Sequence, residues 1–208
     1  MKFYRIFEEE QARELAAQIA GDEWQEGRAR TKELTGTVKQ NEEILGSGNK
    51  ILEELGRKIV NHPAILLDHL PLKCHTPKFS RYKVGGDHYG VHTDAPWMGS
   101  TRTDLSCTLW LNDGYEGGEL VIDDRKLKGK PGTCVVYDCG EPHEVLPVTA
   151  GERICAITWI QSRIRDAHKR QLVSNFRKLL AKMEKEKPDW FLEGGQVYSS
   201  LLRMWWEN

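Results

Sequence analysis

The sequence predicts a mainly β fold with flanking helices, its strands arranged as a sandwich or jelly roll. Between Phe79 and Ser162 the chain runs as short β-prone segments: 79–84, 88–93, 104–112, 118–123, 132–137, 143–148 and 152–161. Turn signals part them, namely Asp113-Gly114, Glu116-Gly117-Gly118 and Lys130-Pro131-Gly132. On both sides of this region apolar residues recur with the helical period instead. Short strands at such spacing favour two packed sheets or a closed barrel. A chain of 208 residues is long enough for one domain with a real core. It divides into a helical segment 1–78 packed on the core, a strand core 79–162 and a helical extension 163–208.

In chain order, residues 8–20 predict a first helix, with Ala12, Leu15, Ala16 and Ile19 on one face and Gly21 as its stop. The stretch from Trp24 to Asn41 reads either as a loop lining a substrate mouth or as a surface connection with one buried tryptophan. A second helix spans about 49–60, because Ile51, Leu52, Leu55 and Ile59 share a face, Asn49 can cap it, and Asn61-His62-Pro63 ends it. After Ser162 an amphipathic helix runs from Ile164 through Leu172, Phe176 and Leu180, ending before Pro188. A last helix over about 196–206 turns Val197, Leu201, Leu202 and Trp205 toward a packing partner, in this chain or in a second copy, so a monomer or a homodimer is expected.

Composition excludes several classes. Hydrophobic residues make up 39% and charged residues 29%, as in an ordinary globular protein. There is no run of apolar residues long enough for a membrane span, and the start turns acidic at Glu8-Glu9-Glu10, too early for a secretory signal, so a cytoplasmic location is expected. A net charge of -1 offers no general attraction to nucleic acid. The cysteines, Cys74, Cys107, Cys134, Cys139 and Cys155, are odd in number and lack paired spacing, which predicts reduced core residues.

One constellation carries chemistry. Residues two apart on a strand share a face, so His92 and Asp94 can offer an imidazole and a carboxylate to one ion. His143, from another strand, completes three ligands, the facial set of non-heme iron oxygenases with open positions opposite. A zinc hydrolase could use the same residue types. Arg153 discriminates: its fork suits the far carboxylate of a dicarboxylic cosubstrate, whereas the plain alternative is an ion pair with Glu152 or Glu144. The remaining histidines, His62, His69, His75 and His168, read as surface or structural, and His88 as a group standing behind the metal ligands.

The segments Ser80-Arg81-Tyr82, Tyr89-Gly90-Val91-His92-Thr93-Asp94, Arg102-Thr103-Asp104-Leu105-Ser106, Gly117-Gly118-Glu119-Leu120 and Trp159-Ile160-Gln161-Ser162 together resemble the PKHD-type hydroxylases, within the prolyl-hydroxylase-like 2-oxoglutarate and Fe(II) dioxygenases. The resemblance spans nearly the whole chain. It implies a double-stranded β-helix whose mouth holds Fe(II) on His92, Asp94 and His143, with 2-oxoglutarate and O2 as cosubstrates, ascorbate as reductant, and a prolyl or other amino-acid-like group on a protein or peptide as acceptor. It also implies that Tyr82 and Arg153 bind 2-oxoglutarate. Relatives among the oxygen-sensing prolyl hydroxylases carry a tyrosine where Trp110 stands, so Trp110 or Thr108, on the same face, is expected to serve instead. Arg102, Asp104 and Trp97, on the loop after Asp94, are candidate substrate contacts or equally hold only that loop, and Trp159 is a further candidate contact. Nucleic-acid demethylases carry a further arginine at the place of Trp159, which disfavours that substrate. A non-catalytic sensor or scaffold retaining the pocket is the remaining alternative.

Overall fold

Strand Leu105–Trp110 shows how alternation sorts the side chains. Leu105, Cys107 and Leu109 pack toward the helices, while Ser106, Thr108 and Trp110 turn to the opposite face. The computed structural model describes residues 1–27, 39–46, 48–184 and 190–207. The middle of the Trp24–Asn41 stretch, including Arg28 and Val38, lies outside them, as does Pro188.

Two antiparallel sheets face one another. Along its main path the larger runs Lys2–Arg5, Thr133–Asp138, Leu105–Trp110, Val148–Ser162, Lys78–Lys83, Glu42–Ile44 and Gln25–Glu26, and Pro71–Cys74 and Tyr115–Gly117 also pair with its long strand Val148–Ser162. The smaller runs Arg125–Leu127, Leu120–Ile122, His143–Val145, His88–His92 and Lys39–Gln40. Between the sheets lies an interior cluster that includes Tyr82, Leu120, Ile122, Val135, Tyr137 and Cys155. The outer face of the larger sheet is covered by helices Glu9–Ile19 and Lys50–Val60, which bury Ala12, Ala16, Ile19, Leu52, Leu55 and Ile59 against it. Each buried leucine or isoleucine among them contributes roughly 1.5–3 kcal/mol on leaving water.

The two N-terminal helices match their sequence pattern. Asn49 Oδ1 accepts from the backbone N–H groups of Ile51 and Leu52 at 3.1 and 3.2 Å, a cap worth about 1 kcal/mol. Pro63, expected only to end that helix, also opens a short helix Pro63–His69, because the first helical turn needs no N–H from it. The first 78 residues are therefore not purely helical, and they also supply Lys2–Arg5, Pro71–Cys74 and three short strands to the sheets. Isolated short strands show little alternation, which is why sequence alone passes over them. The C-terminal helices span Ala167–Met183 and Phe191–Trp205 and pack on each other; the second begins earlier than expected, running through Gly194 and Gly195. Glycine costs a helix about 1 kcal/mol, too little to stop it. All five cysteines are free thiols, and among the described residues no helix is long and apolar enough to cross a membrane.

Candidate active site

His92 closes its strand, His143 opens the next, and the two are paired residues across the smaller sheet. Asp94 follows two residues later, its backbone N–H bonded to the carbonyl of Cys139 at 3.2 Å. One ligand atom from each of the three lies within 4.8 Å of the others, and all three side chains are nearly buried. The Nδ1 atoms of His92 and His143 meet the carbonyls of Gly90 and Glu141 at 2.8 and 2.9 Å. With Nδ1–H donating there, each Nε2 keeps a free lone pair for an ion. Burial, reinforced by neighbouring His143, pushes the His92 imidazole down to about 4, so it is neutral at neutral pH. The Ser106 hydroxyl donates to Asp94 Oδ2 at 2.7 Å and fixes the carboxylate.

A bulge shapes this wall. Where His143 pairs with His92 and Val145 with Tyr89, Gly90 and Val91 stand opposite Glu144 alone. Tyr89 and His92, three residues apart, therefore share a face, and their rings stack with centroids 3.5 Å apart. The same shift breaks the even spacing that was expected to turn His88 toward the ligands. His88 instead bonds the carbonyl of Gly86 at 2.6 Å and is absent from the cavity wall. Lys39, opposite Tyr89 on the neighbouring strand, is brought onto the site.

One cavity joins the three ligands to Tyr82, Thr108 and Arg153 inside the barrel. Arg153 is wholly buried, and its Nε and Nη2 have no hydrogen-bond partner. Among the described residues no carboxylate pairs with it, so the expected alternative of Glu152 or Glu144 is not realised. The Arg153 guanidinium carbon lies 5.1 Å from the centre of the Tyr82 ring, and the buried hydroxyls of Tyr82 and Tyr115 also lack partners. Unpaired buried donors around a cation are costly, and an anionic ligand with several acceptor oxygens would satisfy them. The residues present thus fit a dicarboxylate reaching from a metal to Arg153. Gly118, at φ +64°, makes room: a Cβ there would stand 3.2 Å from Arg153 Cδ and 3.4 Å from Tyr115 Cε2. Tyr115, which no sequence signal singles out, sits behind Arg153, and Trp110 packs against Phe3 and Gly129; neither lines the cavity.

Outside the cavity a groove of about 700 Å³ reaches solvent. Trp159 lines both, beside Lys39 and Lys78. His75, read as surface or structural, also lines the groove and meets Trp159 edge-on at 5.9 Å. Of the other candidate substrate contacts, Trp97 is half exposed on a hairpin and lines neither space. Arg102 and Asp104 form a two-pronged ion pair, both contacts 2.8 Å, which Arg102 extends to Glu207 at 2.6 Å and to the carbonyl of Ser162 at 2.9 Å. That network leaves Arg102 no free edge toward the groove, and it ties the loop after Asp94 to the C-terminal end.

A buried carboxylate and two histidines at the mouth of an antiparallel jelly roll, opening onto an arginine with no anion of its own, define the class of 2-oxoglutarate and Fe(II) oxygenases. The family model described as the 2OG-Fe(II) oxygenase superfamily matches residues 77–161. A PKHD-type hydroxylase of Shewanella sp. (strain ANA-3) is 34% identical over 97% of this chain and 96% of its own. The chain belongs to the PKHD-type hydroxylases, and the enzyme is an oxidoreductase of the dioxygenase type. Among solved structures, a prolyl-4-hydroxylase of Pseudomonas putida shares the fold with TM-score 0.56 and 22% identity, over 78% of this chain and 92% of that one. A Trichoplax adhaerens prolyl hydroxylase in complex with a hypoxia inducible factor oxygen degradation domain peptide fragment does so with TM-score 0.55 and 14% identity, over 83% and 86%. The family implies Fe(II), 2-oxoglutarate and O2, and the His92, Asp94 and His143 set fits iron.

Proposed function

We propose that the enzyme hydroxylates a C–H bond of a prolyl or other amino-acid residue presented by a peptide or protein, releasing succinate and CO2. In this reading His92, Asp94 and His143 hold the ferrous ion, and ascorbate keeps it reduced. Arg153, helped by the Tyr82 hydroxyl and backed by Tyr115, grips the far carboxylate of 2-oxoglutarate, with Thr108 on the same cavity wall. The observation that carries it is the fully buried Arg153 with two unsatisfied donors in the cavity that also touches all three ligands. When bound, iron and 2-oxoglutarate supply the oxidising chemistry: one atom of O2 enters succinate as CO2 leaves, and the other becomes the new hydroxyl. The chain's own part is to orient the cosubstrate, hold the acceptor carbon near the metal and keep bulk water out. Prolyl acceptors are supported by the structural neighbours, one of which is a prolyl-4-hydroxylase and another a prolyl hydroxylase in complex with a peptide.

The test is to incubate purified protein with Fe(II), ascorbate and labelled 2-oxoglutarate. Slow uncoupled succinate formation is expected without acceptor, and its loss in Asp94→Ala. Absence of succinate from the wild type, or full turnover in that variant, contradicts the assignment. Acceptor peptides are then screened for a mass gain of one oxygen.

A further inference from the structure

The groove wall carries charge that neither the metal set nor Arg153 accounts for. Lys39 Nζ and Lys78 Nζ both donate to the same oxygen of Glu43, Oε1, at 2.5 and 2.6 Å. The side chains are nearly buried, Lys39 being 4%, Glu43 6% and Lys78 18% exposed. Two ammonium groups against one carboxylate leave one positive charge in excess. Holding like charges together away from water is unfavourable unless an anion completes the set. Burial, with the Lys78 ammonium adding to it, pulls Lys39 down to about 8, as such crowding requires. Each ammonium has three donors, so the shared Glu43 oxygen does not exhaust either.

The position is informative. Both lysines line the groove as well as the cavity. Lys39 Nζ lies 5.2 Å from the centre of the Tyr89 ring, and that ring stacks on His92. Lys78 Nζ lies 5.3 Å from the centre of the Trp159 ring, whose buried indole N–H has no acceptor. An oxygen acceptor seated there would be one aromatic ring away from the metal ligands and would meet two ammonium groups, with an indole N–H close by. The groove also meets Gln25 and Glu26, but both are exposed at its outer end, where solvent screens them.

We propose that Lys39 and Lys78, held by Glu43 and flanked by Trp159, form the docking point for a carboxylate of the acceptor substrate. The inference rests on the hydroxylase reading above and narrows its substrate class to acceptors with a carboxylate close to the oxidised carbon. A single excess charge matches a monoanionic carboxylate and leaves a phosphate dianion uncompensated. The carboxylate can be the α-carboxylate of a free or C-terminal residue, or an Asp or Glu side chain next to the target.

The test measures binding to holoenzyme charged with Fe(II) and 2-oxoglutarate under nitrogen, read from the relaxation of ligand protons by the ferrous ion. Two matched pairs are titrated: N-acetylproline against N-acetylprolinamide, and acetyl-Gly-Pro-Asp-amide against acetyl-Gly-Pro-Asn-amide. An acid preference of about tenfold or more is expected in at least one pair. A preference confined to the first pair assigns the α-carboxylate, and one confined to the second assigns the side chain. Lys78→Gln should cut the preference to threefold or less while leaving 2-oxoglutarate affinity within about twofold. Lys78→Arg, which keeps the charge, should retain the preference, an outcome a purely structural triad would not give, whereas Glu43→Gln, which withdraws the carboxylate that sustains the Lys39 charge, should lower it. Equal binding of acid and amide in both pairs, no saturable binding of either acid, or a preference untouched by Lys78→Gln overturns the proposal. Wild-type protein that fails to bind 2-oxoglutarate would instead sink the hydroxylase reading itself.

Discussion

Ser106 and Asp94 lie on different segments, yet the serine hydroxyl meets the carboxylate at 2.7 Å and faces the cavity beside it. That bond fixes the orientation of the carboxylate, whose Oδ2 also lies 3.7 Å from His143 Nε2. Ser106→Ala is therefore expected to weaken metal binding by about 10- to 100-fold. A Co(II) or Fe(II) titration checks it, and unchanged metal affinity would show that the bond does no positioning.

Among the described residues Arg153 is the one guanidinium on the cavity wall. Arg153→Lys keeps the charge but loses the planar fork, and the 2-oxoglutarate dissociation constant should rise by about 10- to 100-fold, as expected for losing one charge-assisted hydrogen bond. Calorimetric titration of the metal-loaded protein measures it. Metal affinity without cosubstrate should stay the same, since Arg153 makes no contact with the ligands.

Arg102 is predicted to act on stability rather than on cosubstrate binding. Arg102→Ala leaves Asp104, whose side chain is 7% exposed, without its cation, at a cost of about 3 kcal/mol. Urea unfolding should show the loss, while 2-oxoglutarate affinity stays within about twofold. Unaltered stability would mean that the ion pair contributes nothing net.

His69 and His92 are neutral in the folded chain, burial chiefly pushing them down to about 3 and about 4. Unfolding returns each to near 6.5, so below that pH the unfolded chain takes up protons that the folded chain refuses. The stability they contribute is present above pH 6.5 and is lost as the pH falls toward their folded values. Metal-free protein should lose up to about 1.4 kcal/mol per pH unit for each histidine between about pH 6 and pH 4. In His69→Phe the slope should shrink by one such share, as followed by urea midpoints at several pH values. An identical slope would show that His69 already carries its proton in the fold.

The strand core and the metal set were legible because alternation and ligand spacing are local properties of the chain. His92, Asp94, His143 and Arg153 could each be picked out, since such side chains on strands need partners. Ser106, Tyr115, Lys39 and Lys78 could not, because their roles arise from which strands pair. Tyr115 comes beside Arg153 only through pairing of its strand with Val148–Ser162. The place of His88 is hidden for a related reason: a bulge leaves no mark in the residue types, and parity counted through it comes out wrong. Arg102 and Asp104 read equally as substrate contacts or as loop supports, because charge near a metal loop is ambiguous until Glu207, 105 residues away in sequence, is found beside them.

The extra residue in the strand from His88 to His92 also governs how this segment can vary. One neighbouring strand is tied to it at His88 and Tyr89, the other at Tyr89 and His92. Any slide that repaired pairing along one edge would forfeit it along the other, so an insertion or deletion here cannot be absorbed by slippage.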